Sequence, residues 1–166
     1  MIAIGIKDIK TFMARLLNSD LFHCFLLKEA QISTYNNFFI EGRRNNDYFT
    51  REELEESKAC CQEYSTWELI QPIVFQLIKG KKVPSLLKIT LLLSPDKLGK
   101  LSAVFRESEL SPLLKYFVLT IKYDSHGLVL TTGTSFSEFV ADKSQDTMWD
   151  QCFCKFLWEN TIDYEI

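Results

Sequence analysis

The sequence contains no apolar run long enough to cross a membrane, and its cysteines do not follow the spacing of a disulfide or zinc framework. Residues 1–6 are apolar, but Lys7 and Asp8 follow at once, so this stretch is too short for a signal peptide. The five cysteines are odd in number and scattered, which indicates free thiols in a reducing compartment. We therefore expect a cytoplasmic protein with no membrane association.

Patterns of catalytic and metal-binding residues are also missing. His23 and Cys24 are neighbours in an alternating apolar run that predicts a strand, where they would point to opposite faces and could not act together. His126, the other histidine, lies in a predicted turn, and Cys152 and Cys154 would point to different sides of a helix. We predict no metal, no cofactor and no catalytic residue, which favours a non-enzymatic role.

The composition is that of an ordinary globular protein. Hydrophobic residues make up 46% and charged residues 25% of the 166, and 13 phenylalanines provide material for a well-filled core. The formal charge of −3 gives no overall attraction to nucleic acid or anionic lipid, so an anion-binding surface would have to be a local patch. We predict a single domain over residues 1–166.

Apolar spacing and turn residues predict the order of helices and strands. Asp8 should begin a helix with Phe12 and Leu16 inward, and Ser94-Pro95 should begin another with Leu98, Leu101 and Phe105 inward. A capping-box pattern at Ser65 predicts a helix over residues 66–79, which Pro72 should kink or divide. Strands are predicted over residues 2–6, 21–32, 38–49, 86–93, 116–123 and 128–134, with another over 136–141, and a C-terminal helix over 146–160.

Two parts of this order repeat. Residues 2–45 and 87–141 both read as strand, capped amphipathic helix, gap and antiparallel strands, and a helical segment over residues 51–80 links them. The alternative is coincidence, because such units are common in unrelated proteins. The prediction is an α+β fold, with an antiparallel sheet from two pseudo-repeated strand-helix-strand-strand halves and helices packed on it.

Several short segments carry a resemblance to a family. They are Phe39-Ile40-Glu41-Gly42-Arg43, Leu77-Ile78-Lys79-Gly80-Lys81, Thr131-Thr132-Gly133-Thr134-Ser135 and Trp149-Asp150. Together they resemble an uncharacterised family of small bacterial proteins from Firmicutes. The resemblance spans nearly the whole chain, but that family has no assigned function.

The order of elements also resembles the repeated unit of DNA sliding clamps, whose helices line a ring around the duplex. That resemblance implies nucleic-acid contacts from the solvent faces of the two matching helices, at Lys7, Lys10, Arg15, Lys97 and Lys100. The alternative is that these are ordinary lysines on solvated helix faces. The acidic segment over residues 52–63 and the Pro72 helix have no counterpart in a clamp.

A second group of basic residues predicts an anion patch. Lys79 and Lys81 flank a glycine that follows a helix, so they are not a phosphate-binding P-loop, and a basic helix end is the simpler interpretation. Together with Lys82, Arg43, Arg44 and Lys143 they could still form an anion patch if the fold brings them together.

We therefore favour a non-catalytic interaction module that binds nucleic acid or protein. Protein binding would use a sheet edge, and a homo-oligomer is one form that it could take. The alternative is a small enzyme or binding protein for an anionic, phosphorylated small molecule. A deep pocket that gathers Arg43, Arg44 and Lys81 beside His23 or His126 would favour the enzyme.

Overall fold

The computed structural model describes residues 1–56, 62–101 and 110–166. The chain has an α+β fold, as predicted, with one antiparallel sheet of seven strands and helices packed on it. The strand order is β3-β2-β4-β5-β6-β1-β7. The strands are β1 (Ala3–Ile6), β2 (Leu26–Ser33), β3 (Asn37–Glu41), β4 (Leu86–Leu93), β5 (Leu114–Asp124), β6 (Gly127–Phe136) and β7 (Tyr164–Glu165).

The helices occupy the connections between these strands. They are α1 (Ile9–Asn18), α2 (Arg51–Glu56), α3 (Trp67–Ile78), α4 (Leu98–Leu101) and α5 (Ser144–Glu159), with short 3-10 turns at Asn46–Tyr48 and Pro95–Lys97. Asp8 begins α1 as predicted, because its carboxylate accepts a hydrogen bond from the Thr11 backbone N–H at 3.0 Å. Helix α3 is capped by Thr66, whose side chain accepts from the Leu69 N–H, rather than by the predicted Ser65, and Pro72 does not divide that helix.

Alternation along the central strands separates a core face from an outer face. In β5 the side chains of Phe117, Leu119 and Ile121 are fully buried, whereas those between them are more exposed. A two-residue turn joins β5 to β6, and Gly127 takes a φ of 123° there, which favours glycine. The hairpin predicted from residues 124–127 is therefore confirmed.

The core lies between the sheet and the helices and is rich in aromatic rings. The Trp149 ring of α5 stacks on Phe117 of β5 at a centroid distance of 5.0 Å, and its indole N–H donates to the Val118 carbonyl at 3.0 Å. Phe22 packs edge-on against both Phe12 and Phe156. These contacts join α1, α5 and the loop before β2, and large aromatic side chains remove much apolar area from water.

Some predicted boundaries are wrong. Strand β2 begins at Leu26 rather than residue 21, because residues 20–25 form turns closed by backbone hydrogen bonds from His23 to Asp20 and from Phe25 to Phe22. The strand predicted over 38–49 ends at Glu41, and residues 137–141 do not form a strand. The C-terminal helix spans 144–159. Phe105, Cys60 and Cys61 lie outside the described residues.

The two halves of the predicted repeat do not share strand neighbours. Strand β1 pairs with β6 and β7, whereas β4, its counterpart in the repeat, pairs with β2 and β5. This difference does not support the repeat, and the duplication and the clamp-like arrangement stay predictions. Across the described residues, none of the helices has the length and apolar character needed to span a bilayer.

Candidate functional site

The basic residues predicted on the helix faces fall into two groups. Lys7 and Lys10 are exposed at the beginning of α1, and Arg15 lies in its last turn. The Arg15 guanidinium donates to the Asn160 carbonyl at 2.6 Å, so it holds the end of α5 against α1. This contact gives Arg15 a structural role that the sequence pattern did not indicate.

Lys97 and Lys100 form the second group, beside Cys24 in the loop before β2. Burial raises the pKa of the Cys24 thiol, and the positive charges of Lys100 and Lys97 oppose that rise. Both positive charges therefore act on the same thiol; Lys100 is exposed to solvent and Lys97 is partly buried. They form a small positive surface at the beginning of α4.

Arg43 lies on the outer face of the sheet, beyond the end of β3. Its guanidinium forms an ion pair with Glu63 at 2.8 Å and lies 5.8 Å from the centre of the Tyr64 ring. Tyr64 in turn packs edge-on against Tyr116 of β5, whose pKa is raised chiefly by burial. Arg44 lies over the Phe49 ring at 4.9 Å. The two arginines therefore contact different aromatic rings.

A cavity of about 230 Å³ adjoins the Arg43 group. Its lining mixes basic, acidic, aromatic and apolar side chains: Lys28, Arg43, Glu63, Tyr64, Leu92, Lys115, Tyr116, Val118 and Ser135. Since Glu63 already pairs with Arg43, the net positive charge of this cavity comes from the two lysines.

Lys79 and Lys81 line a different cavity, of about 370 Å³, between the β2–β3 turn and the loop that joins α3 to β4. Arg43 and Lys81 are thus found at opposite ends of the β2–β3 hairpin, because Thr34 and Tyr35 line the Lys81 cavity and Arg43 follows the far end of β3. The basic residues of the predicted anion patch therefore do not form one site.

The two histidines lie outside both cavities. His23 Nε2 is 2.8 Å from Gln71 Oε1, and the Gln71 amide donates to the carbonyls of Leu16 and Ser19 at 2.8 Å each. His126 is exposed in the β5–β6 turn. The grouping that would have favoured an enzyme is therefore not formed. No cluster of metal-binding side chains occurs within residues 1–56, 62–101 and 110–166.

The free edge of β3 is a feature that the sequence did not localise. Gly42 N–H donates to the Lys28 carbonyl, and Thr34 N–H donates to the Asn36 carbonyl. Every second residue of an antiparallel strand bonds to the same neighbour, so the N–H and C=O groups of residues 36, 38, 40 and 42 point towards β2. Asn37, Phe39 and Glu41 therefore direct theirs outward. Within the described part of the chain, β2 is the strand that pairs with β3.

A family model covers residues 15–165, nearly the whole chain, and its description is a family of unknown function, DUF5721. The chain belongs to this family. No curated protein and no solved structure matches the chain. The predicted resemblance to a family without an assigned function is thereby confirmed, and the DUF5721 description adds no chemistry to the geometry above.

Proposed function

We propose that the chain is a non-catalytic interaction module that binds protein through the free edge of β3, and that the partner is a second copy of itself. The observation that carries the proposal is the outward direction of the backbone groups of Asn37, Phe39 and Glu41. An unpaired strand edge is a template for another strand. The opposite edge, β7, has only two residues and offers a shorter template.

Side chains at this edge support association. Phe39 has 66% of its surface exposed, on the outer face of the strand. On α3, the Gln71 amide donates to the Leu16 carbonyl of α1, so Ile73, two residues further on, lies on the side away from α1. Ile73 and Leu69 are more than half exposed. Phe39 therefore adds apolar surface on the edge strand, and Leu69 and Ile73 add apolar surface on α3, the helix that packs against β2.

The sequence of β3 suits pairing with itself. When two copies pair in antiparallel orientation about Phe39, every outward-directed backbone group meets a partner, and the two Phe39 rings become cross-strand neighbours. Asn37 then lies opposite Glu41 of the second copy, so the two carboxylates are kept apart. Opposed aromatic rings and the absence of like charges both favour this register.

Sedimentation velocity tests the proposal with a matched pair of substitutions. Phe39→Lys places a charge on the edge, which should abolish the dimer, while the fold is kept because Phe39 is already exposed. Phe139→Lys makes the same change at a side chain that is 94% exposed in a loop and should remain dimeric. A wild-type chain that sediments as a monomer at high concentration would refute the proposal.

Nucleic-acid binding is a second candidate, favoured by the convergence of Lys97 and Lys100 beside Cys24. Lys7 and Lys10, exposed at the beginning of α1, would be a second group of phosphate contacts. Fluorescence anisotropy with duplex DNA across a salt series measures it, because phosphate contacts impose a steep salt dependence. Binding that is lost in a Lys10→Glu, Lys97→Glu variant supports this function, and no binding at low salt refutes it.

We also propose that the protein works in the cytoplasm. The cysteines Cys24, Cys152 and Cys154 are free thiols, which supports a reducing compartment. Burial raises the pKa of the Cys152 thiol to about 12, so that group is a poor nucleophile at neutral pH. This supports a non-catalytic role for Cys152.

A further inference from the structure

The cavity beside Lys81 is formed by two loops that the sheet brings together. The Ser85 backbone N–H donates to the Ser33 carbonyl at 2.9 Å, which ties the beginning of β4 to the end of β2. The β2–β3 turn and the α3–β4 loop then border an open hollow of about 370 Å³. That volume is within the range of small-molecule sites in proteins.

Among the described residues, the charge of the lining has one sign. Lys79, Lys81 and Lys82 all border the cavity, and none of the described residues that line it is acidic. All three lysines are exposed, so the hollow has a positive local potential that would attract an anion. The cavity near Arg43 differs in this respect, because Glu63 lines it and neutralises the arginine.

A hydroxyl group in the same lining lacks a partner. Within the described residues, Thr34 Oγ1 is the buried side-chain oxygen or nitrogen that has no hydrogen-bond partner. Leaving such a group unsatisfied costs about 1–3 kcal/mol. Thr34 lines the cavity, so the oxygen of an anion bound beside it would supply the missing acceptor for this hydroxyl. Ser85, which also lines the cavity, carries a second hydroxyl.

The remaining lining is apolar or aromatic. Leu77, Ile78 and Val83 border the cavity, as does Tyr35. The Tyr35 ring packs edge-on against the Phe38 ring, with a centroid distance of 5.7 Å. A free inorganic ion would leave these surfaces unused. An ester of phosphate with an apolar or aromatic group would contact both kinds of surface.

We propose that this cavity is a binding site for a phosphate monoester, with the phosphate among Lys79, Lys81, Lys82 and the Thr34 hydroxyl, and the organic group against Tyr35 and Val83. The site does not involve the β3 edge or the basic helix faces. It can therefore fail or succeed independently of the proposed self-association.

Calorimetric titration with phenyl phosphate, and separately with inorganic phosphate, tests the assignment. Phenyl phosphate should bind more tightly than inorganic phosphate. The Lys81→Gln, Lys82→Gln variant should bind phenyl phosphate at least about tenfold more weakly, because two charges near the ligand are lost. Thr34→Val keeps the shape of the side chain, should fold as well as wild type, and should weaken binding about threefold or more.

Lys115→Gln is the matched control, since it removes an exposed lysine from the other cavity. It should leave the affinity for phenyl phosphate unchanged. The proposal would be overturned by equal affinity in wild type and the Lys81→Gln, Lys82→Gln variant, by loss of binding in Lys115→Gln, or by no binding at millimolar ligand. Equal affinity for inorganic phosphate and phenyl phosphate would overturn the assignment of an ester.

Discussion

Replacing Gly42 with alanine should destabilise the fold strongly, because the backbone of a neighbouring strand occupies the space that a side chain needs. A Cβ atom at Gly42 would lie 1.8 Å from the Leu27 carbonyl oxygen and 2.9 Å from the Lys28 carbonyl oxygen. Carbon atoms in favourable contact are about 3.5–4.0 Å apart. Gly42 must therefore move away from β2 before the variant can fold.

That movement would disturb hydrogen bonds on both sides of Gly42. Its N–H donates to the Lys28 carbonyl at 2.8 Å, and its carbonyl accepts from the Ser65 N–H at 2.8 Å. Each bond contributes about 0.5–1.5 kcal/mol, and overpacking adds about 1–3 kcal/mol. We expect the free energy of unfolding to fall by about 3–5 kcal/mol, a large part of the stability of a domain of this size.

Urea unfolding followed by tryptophan fluorescence measures the effect, because Trp67 and Trp149 are buried. Gly133→Ala is the control, since a Cβ there would meet only the Val118 side chain, at 4.0 Å. We expect that variant to unfold within about 1 kcal/mol of wild type. If Gly42→Ala also unfolds within that range, the close approach of β2 and residue 42 is refuted.

Two further changes test other contacts. Gln71→Leu removes the buried amide that donates to the carbonyls of Leu16 and Ser19, so urea unfolding should show a loss of about 2–3 kcal/mol, with little loss for the exposed Gln76→Leu. Hydrogen bonds from Thr11 lower the pKa of Asp8 in the folded protein. The ionised carboxylate therefore stabilises the fold at pH values above the unfolded-state pKa, and this stabilisation is lost as the pH falls through the folded-state pKa. Asp8→Asn should therefore be less stable than wild type at neutral pH and approach it in acid; an equal difference at both pH values would contradict this.

Local sequence patterns were sufficient for several elements of the fold. Asp8 followed by apolar residues at helical spacing predicted α1, and the apolar run from Leu86 predicted β4 with both of its ends. These signals depend on near neighbours, which the sequence displays directly.

Contacts between distant residues explain the errors. Phe22 is apolar because it packs on Phe156, so the turn around it has the composition of a strand. Strand β7 has two residues and forms only because it lies beside β1. Neither feature has a local signal.

The candidate sites were predictable only as residue types. The sequence displays Lys79 and Lys81 as basic residues of one loop, but only the pairing of β2 with β4 brings Thr34 beside them. Arg43 shares their charge, and the length of the β2–β3 hairpin separates it from them.

The most direct test of the proposed function is amide hydrogen exchange at β3, measured by NMR at several protein concentrations. The amides of Phe38 and Ile40 face β2, so they should be protected at every concentration. Those of Asn37, Phe39 and Glu41 should become protected as the concentration rises, because pairing with a second copy covers them. Fast exchange of these three amides at all concentrations would contradict pairing at this edge.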